Sequence, residues 1–141
     1  MTDSRPLYDQ DIHSILLWMP NWIGDVVLAL PSVQSLRRAY PKARITAVVK
    51  SPSDELLLGH PAINTVLPLP SGPEVGFWKR INFARALKKY QFDVGVVFPN
   101  SFGAAFLLSL TGTKNRLGYN TDGRDILLTH PIVTTNRLKK S

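Results

Sequence analysis

Cysteine is absent from the 141 residues, which excludes a disulfide framework and any thiolate metal site. No apolar run approaches the ~18–20 residues needed to cross a bilayer, so no transmembrane segment is expected. The three histidines, His13, His60 and His130, lie far apart in the sequence without metal-ligand spacing, and read as surface or turn residues. No metal is therefore expected. Glycine is sparse where nucleotide motifs need it: a G-x-G-x-x-G fingerprint and a G-x-x-x-x-G-K-[ST] loop are both missing. Residues 1–13 carry Asp3, Asp9 and Asp11 and lack the apolar core of a secretory signal. They are expected to be a disordered extension, and a cytoplasmic location is the default.

What is present is a globular composition, 44% hydrophobic and 19% charged, of a length suited to one domain. The net charge of +7 is lopsided. Residues 1–70 hold six Lys/Arg against six Asp/Glu, whereas residues 71–141 hold eleven against four. A basic half implies an anionic partner such as a phosphorylated substrate, an acidic membrane surface or nucleic acid. The plain alternative is solubility plus the tail cations Arg137, Lys139 and Lys140. No nucleic-acid motif accompanies the charge, and no nucleic-acid partner is expected.

Short runs rich in Val, Ile and Leu, at Ser14–Met19, Ile45–Val49, Thr65–Leu69 and Val94–Phe98, read as buried strands. Val26–Tyr40 and Phe77–Tyr90 carry apolar residues every three to four positions and read as helices. Ser53–Leu58, with Ser53 as N-cap, and Ser101–Leu110 complete a β-α-β-α-β-α-β-α order, the pattern of an α/β fold with a parallel sheet. Pro31 sits inside the first helix and predicts a kink or a restart there. Asn115–Tyr119 reads as a fifth strand, and Ile126–Leu128 and Ile132–Val133 as further extended pieces. Residues 136–141 lack a stop signal and read as a cut connection.

Chemistry concentrates at strand-to-helix corners, because open α/β folds bind ligands beyond the carboxyl ends of their strands. The first corner is Pro20-Asn21-Trp22-Ile23-Gly24-Asp25. There Asp25 is either a helix-capping carboxylate or a base able to take a proton from a substrate hydroxyl. Trp22 beside it is either packing or the wall of a sugar site. The second corner, Phe98-Pro99-Asn100-Ser101-Phe102, offers Asn100 and Ser101 as partners for hydroxyls or phosphate, or as a plain N-cap. Arg116 and Arg124, in a Gly-rich stretch, are a bidentate clamp for anions or a solvated turn. Lys79-Arg80 with Arg85, Lys88 and Lys89 is the wet face of a helix or a face for anionic lipid.

Three stretches in register carry a family resemblance. They are Met19 to Asp25 with Leu30-Pro31 and Leu36-Arg37; then Pro99 to Phe102; then Gly118-Tyr119 with Thr121, Gly123-Arg124 and Leu127 to Thr129. Together they resemble the bacterial ADP-heptose:lipopolysaccharide heptosyltransferases of glycosyltransferase family nine, most closely the heptosyltransferase II type, over their amino-terminal half. The resemblance implies a Rossmann-like parallel sheet with helices on both faces, the amino-terminal domain of a GT-B glycosyltransferase. Residues 14–135 would be this acceptor-side domain, with the carboxy-terminal donor-binding domain absent. It implies Asp25 as catalytic base and Asn21, Trp22, Gly24, Asn100, Ser101, Arg116 and Arg124 as acceptor-binding residues. No cofactor is implied: the donor substrate is ADP-heptose, bound mainly by the absent domain. The implied acceptor is a phosphorylated lipid A–core saccharide at the inner face of the inner membrane, where peripheral contact with anionic lipid is expected. The isolated chain is expected to be inactive and open to self-association through its exposed cleft face. The alternative reading is a non-enzymatic Rossmann-like or flavodoxin-like module that binds a small ligand.

Overall fold

A computed structural model describes residues 11–99, 102–119 and 130–132. Its centre is strand β1, Ser14–Trp18, whose residues from Ile15 onward are all buried. Successive side chains of a strand point to opposite faces, and here both faces are covered. Ile15, Leu17 and Met19 enter one core, and Leu16 and Trp18 the other. Strand β2, Arg44–Val49, pairs with β1 in parallel on one side, with Ile15 opposite Ile45. Strand β4, Val94–Val97, pairs with it in parallel on the other, with Ile15 opposite Val94. Strands β3 (Thr65–Pro68), β5 (Asn115–Tyr119) and β6 (His130–Ile132) extend the sheet to the order β3-β2-β1-β4-β5-β6, parallel throughout.

Helix α1, Ile23–Ala39, and the short α2, Asp54–Leu57, lie on the Ile15–Leu17 face. Helix α3 (Phe77–Ala86), the 3-10 turn Leu87–Tyr90 and helix α4 (Phe102–Leu110) lie on the Leu16–Trp18 face. The helices change face where the strand order reverses, as right-handed crossovers require. Trp18 meets Phe83 edge-on at 6.4 Å, tying α3 to the central strand. Helix α4 and the turn after it come so close to β4 that any side chain at position 95 would make its neighbours shift. A Cβ there would lie 2.9 Å from Leu108 Cδ1 and 3.0 Å from Thr113 Cγ2.

Polar contacts fasten the ends of the sheet. Asp93 Oδ2 accepts the backbone N–H of His13 at 2.8 Å and of Ser14 at 3.1 Å, joining the starts of β1 and β4. Arg37 donates to the carbonyls of Tyr40, Pro41, Ala43 and Ala62, and so closes α1 onto the loops beside it.

Several expectations need adjustment. Helix α1 begins at Ile23 rather than Val26, and it runs unbroken through Pro31. Pro31 and Val27 are both on the exposed side, so water can reach the Val27 carbonyl that the proline leaves without its helical partner. Ser53 occupies the N-cap position of α2 but makes no capping bond. Its backbone is already helical, at φ −65° and ψ −18°, instead of extended. The helix expected over Phe77–Tyr90 tightens to 3-10 geometry after Ala86. His130 belongs to a strand and not to a turn. The expected extended piece Ile126–Leu128, residues 1–10 of the expected extension 1–13 and the tail 136–141 lie outside the described residues, while Ile12 packs against the α1-side core and the His13 N–H donates to Asp93.

Candidate active site at the switch point

Strands β1 and β4 are neighbours, yet the chain leaves them toward opposite faces of the sheet. Helix α1 departs to one face and α4 to the other, and a crevice opens between the two departures. It measures about 670 Å³. One wall is the β1–α1 corner, Pro20, Asn21, Trp22 and Asp25, continued along α1 by Leu28, Ala29, Ser32 and Leu36. The other is the end of β4, Val96 to Pro99, with Leu117 and Gly118 of β5. Val96, Phe98 and Leu117 belong to the α1-side core but are only partly buried, and they give the crevice an apolar floor.

Asp25 is the third residue of α1, after an N-cap formed by Trp22 in extended conformation, φ −106° and ψ 143°. Trp22 supplies no side-chain capping bond. Its carbonyl accepts the N–H of Val26 at 2.9 Å, which starts the helix. The Asp25 carboxylate is exposed and takes no hydrogen bond or ion pair from any described residue. Of the two readings of this aspartate, a cap by its side chain therefore lacks the bond that defines one. What remains is an uncommitted carboxylate at the mouth of a crevice, in the first turn of a helix whose positive end attracts anionic groups. Such a group can accept a hydroxyl hydrogen bond or a proton.

The crevice brings together Asn21, Trp22 and Asp25. Trp22 is 74% exposed, so its ring forms the rim rather than the core. Gly24 sits in the same helical turn without lining the crevice, and a Cβ on it would meet nothing within 4 Å. Asn100, Ser101 and Arg124 lie outside the described residues, although Pro99, which precedes the second corner, is on the crevice wall. Arg116 is not brought to the crevice. It stands in β5 opposite Gly95, and its Nη1 donates to the Thr113 carbonyl at 3.0 Å, near the amino-terminal edge of the sheet. Burial lowers its guanidinium pKa from the ordinary value by desolvation.

Leu28 and Ser32 are crevice residues that the corner motif alone did not mark. Their signal is the spacing of Asp25, Leu28, Ala29, Ser32 and Leu36, which is one helical face counted from the aspartate. Among the described residues, no three His, Cys, Asp or Glu side chains gather as metal ligands. Nor is any helix there long and apolar enough to cross a membrane.

Comparison with known proteins agrees with this fold. Residues 80–137 match glycosyltransferase family 9 (heptosyltransferase). Lipooligosaccharide heptosyltransferase 2 of Haemophilus ducreyi is 30% identical over 115 residues, covering 81% of this chain and 33% of that protein. Lipopolysaccharide heptosyltransferase 2 of Escherichia coli K12 is 30% identical over 117 residues, with the same coverage of each. The structure of E. coli ADP-heptose lps heptosyltransferase II superposes with a TM-score of 0.78 at 26% identity, over 88% of this chain and 36% of that one. The chain thus spans about one third of the length of the curated relatives it matches. By sequence and fold together, the chain is similar to one third of the length of the glycosyltransferase family 9 heptosyltransferases and shares their Rossmann-like α/β architecture.

Proposed function

We propose that this chain is the acceptor-binding half of an inverting glycosyltransferase that moves heptose from ADP-heptose to the lipopolysaccharide inner core. The observation that carries the reading is the uncommitted Asp25 carboxylate at the mouth of the switch-point crevice. In the proposed step, Asp25 accepts the proton of an acceptor hydroxyl as that oxygen forms a bond to the anomeric carbon of the donor. The bond from that carbon to the diphosphate breaks, the electron pair leaves with ADP, and the configuration inverts. Asn21 is in reach to orient the acceptor hydroxyls, Trp22 offers a ring for the apolar face of a sugar, and Asn100 and Ser101 at the second corner would add polar contacts. Arg124 remains a proposed partner for the anionic groups of a phosphorylated lipid A–core saccharide, whereas Arg116, held near the opposite edge of the sheet, is not.

The relatives are about three times longer, and we propose that the contacts to the adenosine and diphosphate come mainly from outside the matched third. The 141 residues alone are accordingly proposed to be inactive, and their open crevice face to be available for self-association. The proposed location is the cytoplasm, in peripheral contact with the anionic face of the inner membrane. The deciding experiment is Asp25→Asn in a complete protein that contains this segment. A fall in kcat of two to four orders of magnitude, with little change in KM for the acceptor, is expected of a lost general base. Turnover within a few-fold of wild type would remove Asp25 from the chemistry.

A further inference from the structure

Away from the crevice, α3 and the turn after it carry a run of charge of one sign. Between Glu74 and Asp93 the sequence places Lys79, Arg80, Arg85, Lys88 and Lys89 and no acidic residue. Arg80 is turned inward, its Nε donating to the Pro70 carbonyl at 3.0 Å. The other four are exposed, and none pairs with a carboxylate among the described residues.

The inner side of the helix is well occupied. Ala84 and Leu87 are buried, Phe83 meets Trp18, and Phe77 stacks on Phe106 at 6.2 Å. The outer side follows the helical repeat through Trp78, Asn82 and Arg85, spaced four and three residues apart, and exposed Lys88 and Lys89 follow in the 3-10 turn. Trp78 heads this stripe and is 77% exposed, an unusual position for the largest apolar side chain in a chain with ample core. Phe77 beside it is 48% exposed despite its stacking.

We infer that this outer face of α3 docks on an anionic phospholipid surface, with Trp78 entering the headgroup region and Lys79, Arg85, Lys88 and Lys89 against the phosphates. Each part of the stripe has a counterpart in such a surface. Tryptophan favours the boundary between headgroups and acyl chains, where its ring is buried and its N–H stays hydrated. Unpaired lysines and arginines near an anionic leaflet each add to the binding. A helix lying flat with one cationic, aromatic face is the geometry of an interfacial segment. A nucleic-acid strand is a poorer match. It is usually tracked by a cationic groove with several stacking rings, whereas this stripe is convex and carries one fully presented ring.

The placement also fits the fold. Helix α3 follows β3, so Trp78 lies toward the edge of the sheet that bears Asp25, on the opposite face from α1. An acceptor held in the same bilayer would reach the crevice from that edge. The inference deepens the peripheral membrane contact proposed above by assigning it to a surface, but it does not depend on the glycosyl-transfer chemistry.

The test is flotation of this chain with vesicles of phosphatidylcholine alone and of equimolar phosphatidylcholine and phosphatidylglycerol. Salt-sensitive binding to the second and little to the first is expected. The triple variant Lys79→Gln/Arg85→Gln/Lys89→Gln should bind the anionic vesicles about a hundredfold more weakly, at roughly a fivefold loss per cation. Trp78→Ser should weaken binding as well. All four positions are exposed, and unchanged thermal midpoints would verify folding. A control, Arg38→Gln/Lys42→Gln/Arg44→Gln, removes the same charge from the end of α1, the loop after it and the start of β2, and should retain most of the binding. Equal loss in the control would overturn the assignment, since net charge alone would then be responsible. So would absence of binding by the wild type, or tighter binding to a single-stranded RNA probe with Trp78→Ser leaving vesicle binding intact. Turnover of the complete protein on a water-soluble core saccharide separates the two proposals: the triple variant should leave it unchanged, and Asp25→Asn should leave vesicle binding unchanged.

Discussion

Arg37 and Asn64 meet at 2.6 Å, Nη2 donating to the Asn64 Oδ1 that also accepts the backbone N–H of Ile45 at 2.8 Å. One amide oxygen thereby links the last turn of α1 to the start of β2. The guanidinium spends its other donors on the carbonyls of Tyr40, Pro41, Ala43 and Ala62, which lie just past the end of α1 and in the loop before β3. Arg37→Ala should cost about 2–3 kcal/mol in urea denaturation, because several hydrogen bonds to a charged group are lost at once. Arg37→Lys should recover less than half of that, since an ammonium cannot reproduce the planar fork. A change under about 0.5 kcal/mol for Arg37→Ala would mean that water replaces the whole network.

The approach of α4 to β4 yields a second expectation. A methyl group on Gly95 would press on Leu108 Cδ1 and Thr113 Cγ2, and Leu108 is fully buried. Gly95→Ala should therefore destabilise by about 1–3 kcal/mol through overpacking. Leu108→Ala alone opens a cavity and costs about 2–5 kcal/mol. The two together should cost less than the sum of the singles, and a double-mutant cycle reads that coupling. Strict additivity would show that the backbone, and not Leu108, absorbs the extra methyl.

Much of this sheet was legible because parallel strands covered on both faces are written as nearly continuous apolar runs. Ile45–Val49 is buried at every residue, and Ile45, Ala47, Val48 and Val49 mark it with a single polar residue, Thr46, among them. The start of α1 was less legible. The N-cap is Trp22, which offers no side-chain acceptor, so the usual Ser, Thr, Asp or Asn signal is missing where the helix begins. Pro31 does not restart the helix, because its cost depends on whether the freed carbonyl can be hydrated, and that depends on the side of the helix it occupies. The crevice itself was only half legible. Alternation of strands and helices places Asp25 at the carboxyl edge, but it does not say that β4 returns beside β1. That neighbour relation is what joins the Asp25 corner to Val96, Phe98 and Leu117.

Ser32 follows Asp25 by two helical turns and lines the same crevice from an exposed position. A large ring at this point would narrow the space beside Asp25 without disturbing either core. Ser32→Phe should change stability by no more than about 0.5 kcal/mol, as is usual for an exposed site. In the complete protein it should raise KM for the acceptor about tenfold or more and leave KM for the nucleotide sugar nearly unchanged. Equal effects on both substrates would place the acceptor elsewhere.

Asp25→Asn tests the division between structure and chemistry at the corner itself. The carboxylate has no partner among the described residues, so the fold should not depend on which oxygen or nitrogen is present. Urea denaturation of Asp25→Asn should fall within about 0.5 kcal/mol of wild type, the small residue being the loss of a negative charge near a helix amino terminus. A loss above about 1 kcal/mol would instead reveal a capping role. The same variant in a complete protein should lose about two to four orders of magnitude in kcat. Asp25→Glu separates position from charge. It keeps a carboxylate but moves it by one methylene, and misplacement on the order of 1 Å can cost about a hundredfold when a reacting geometry must be held. Partial activity in Asp25→Glu that exceeds the residual activity of Asp25→Asn is the outcome expected of a base that works by where it stands. Comparable activity in both variants would assign the corner a binding task only.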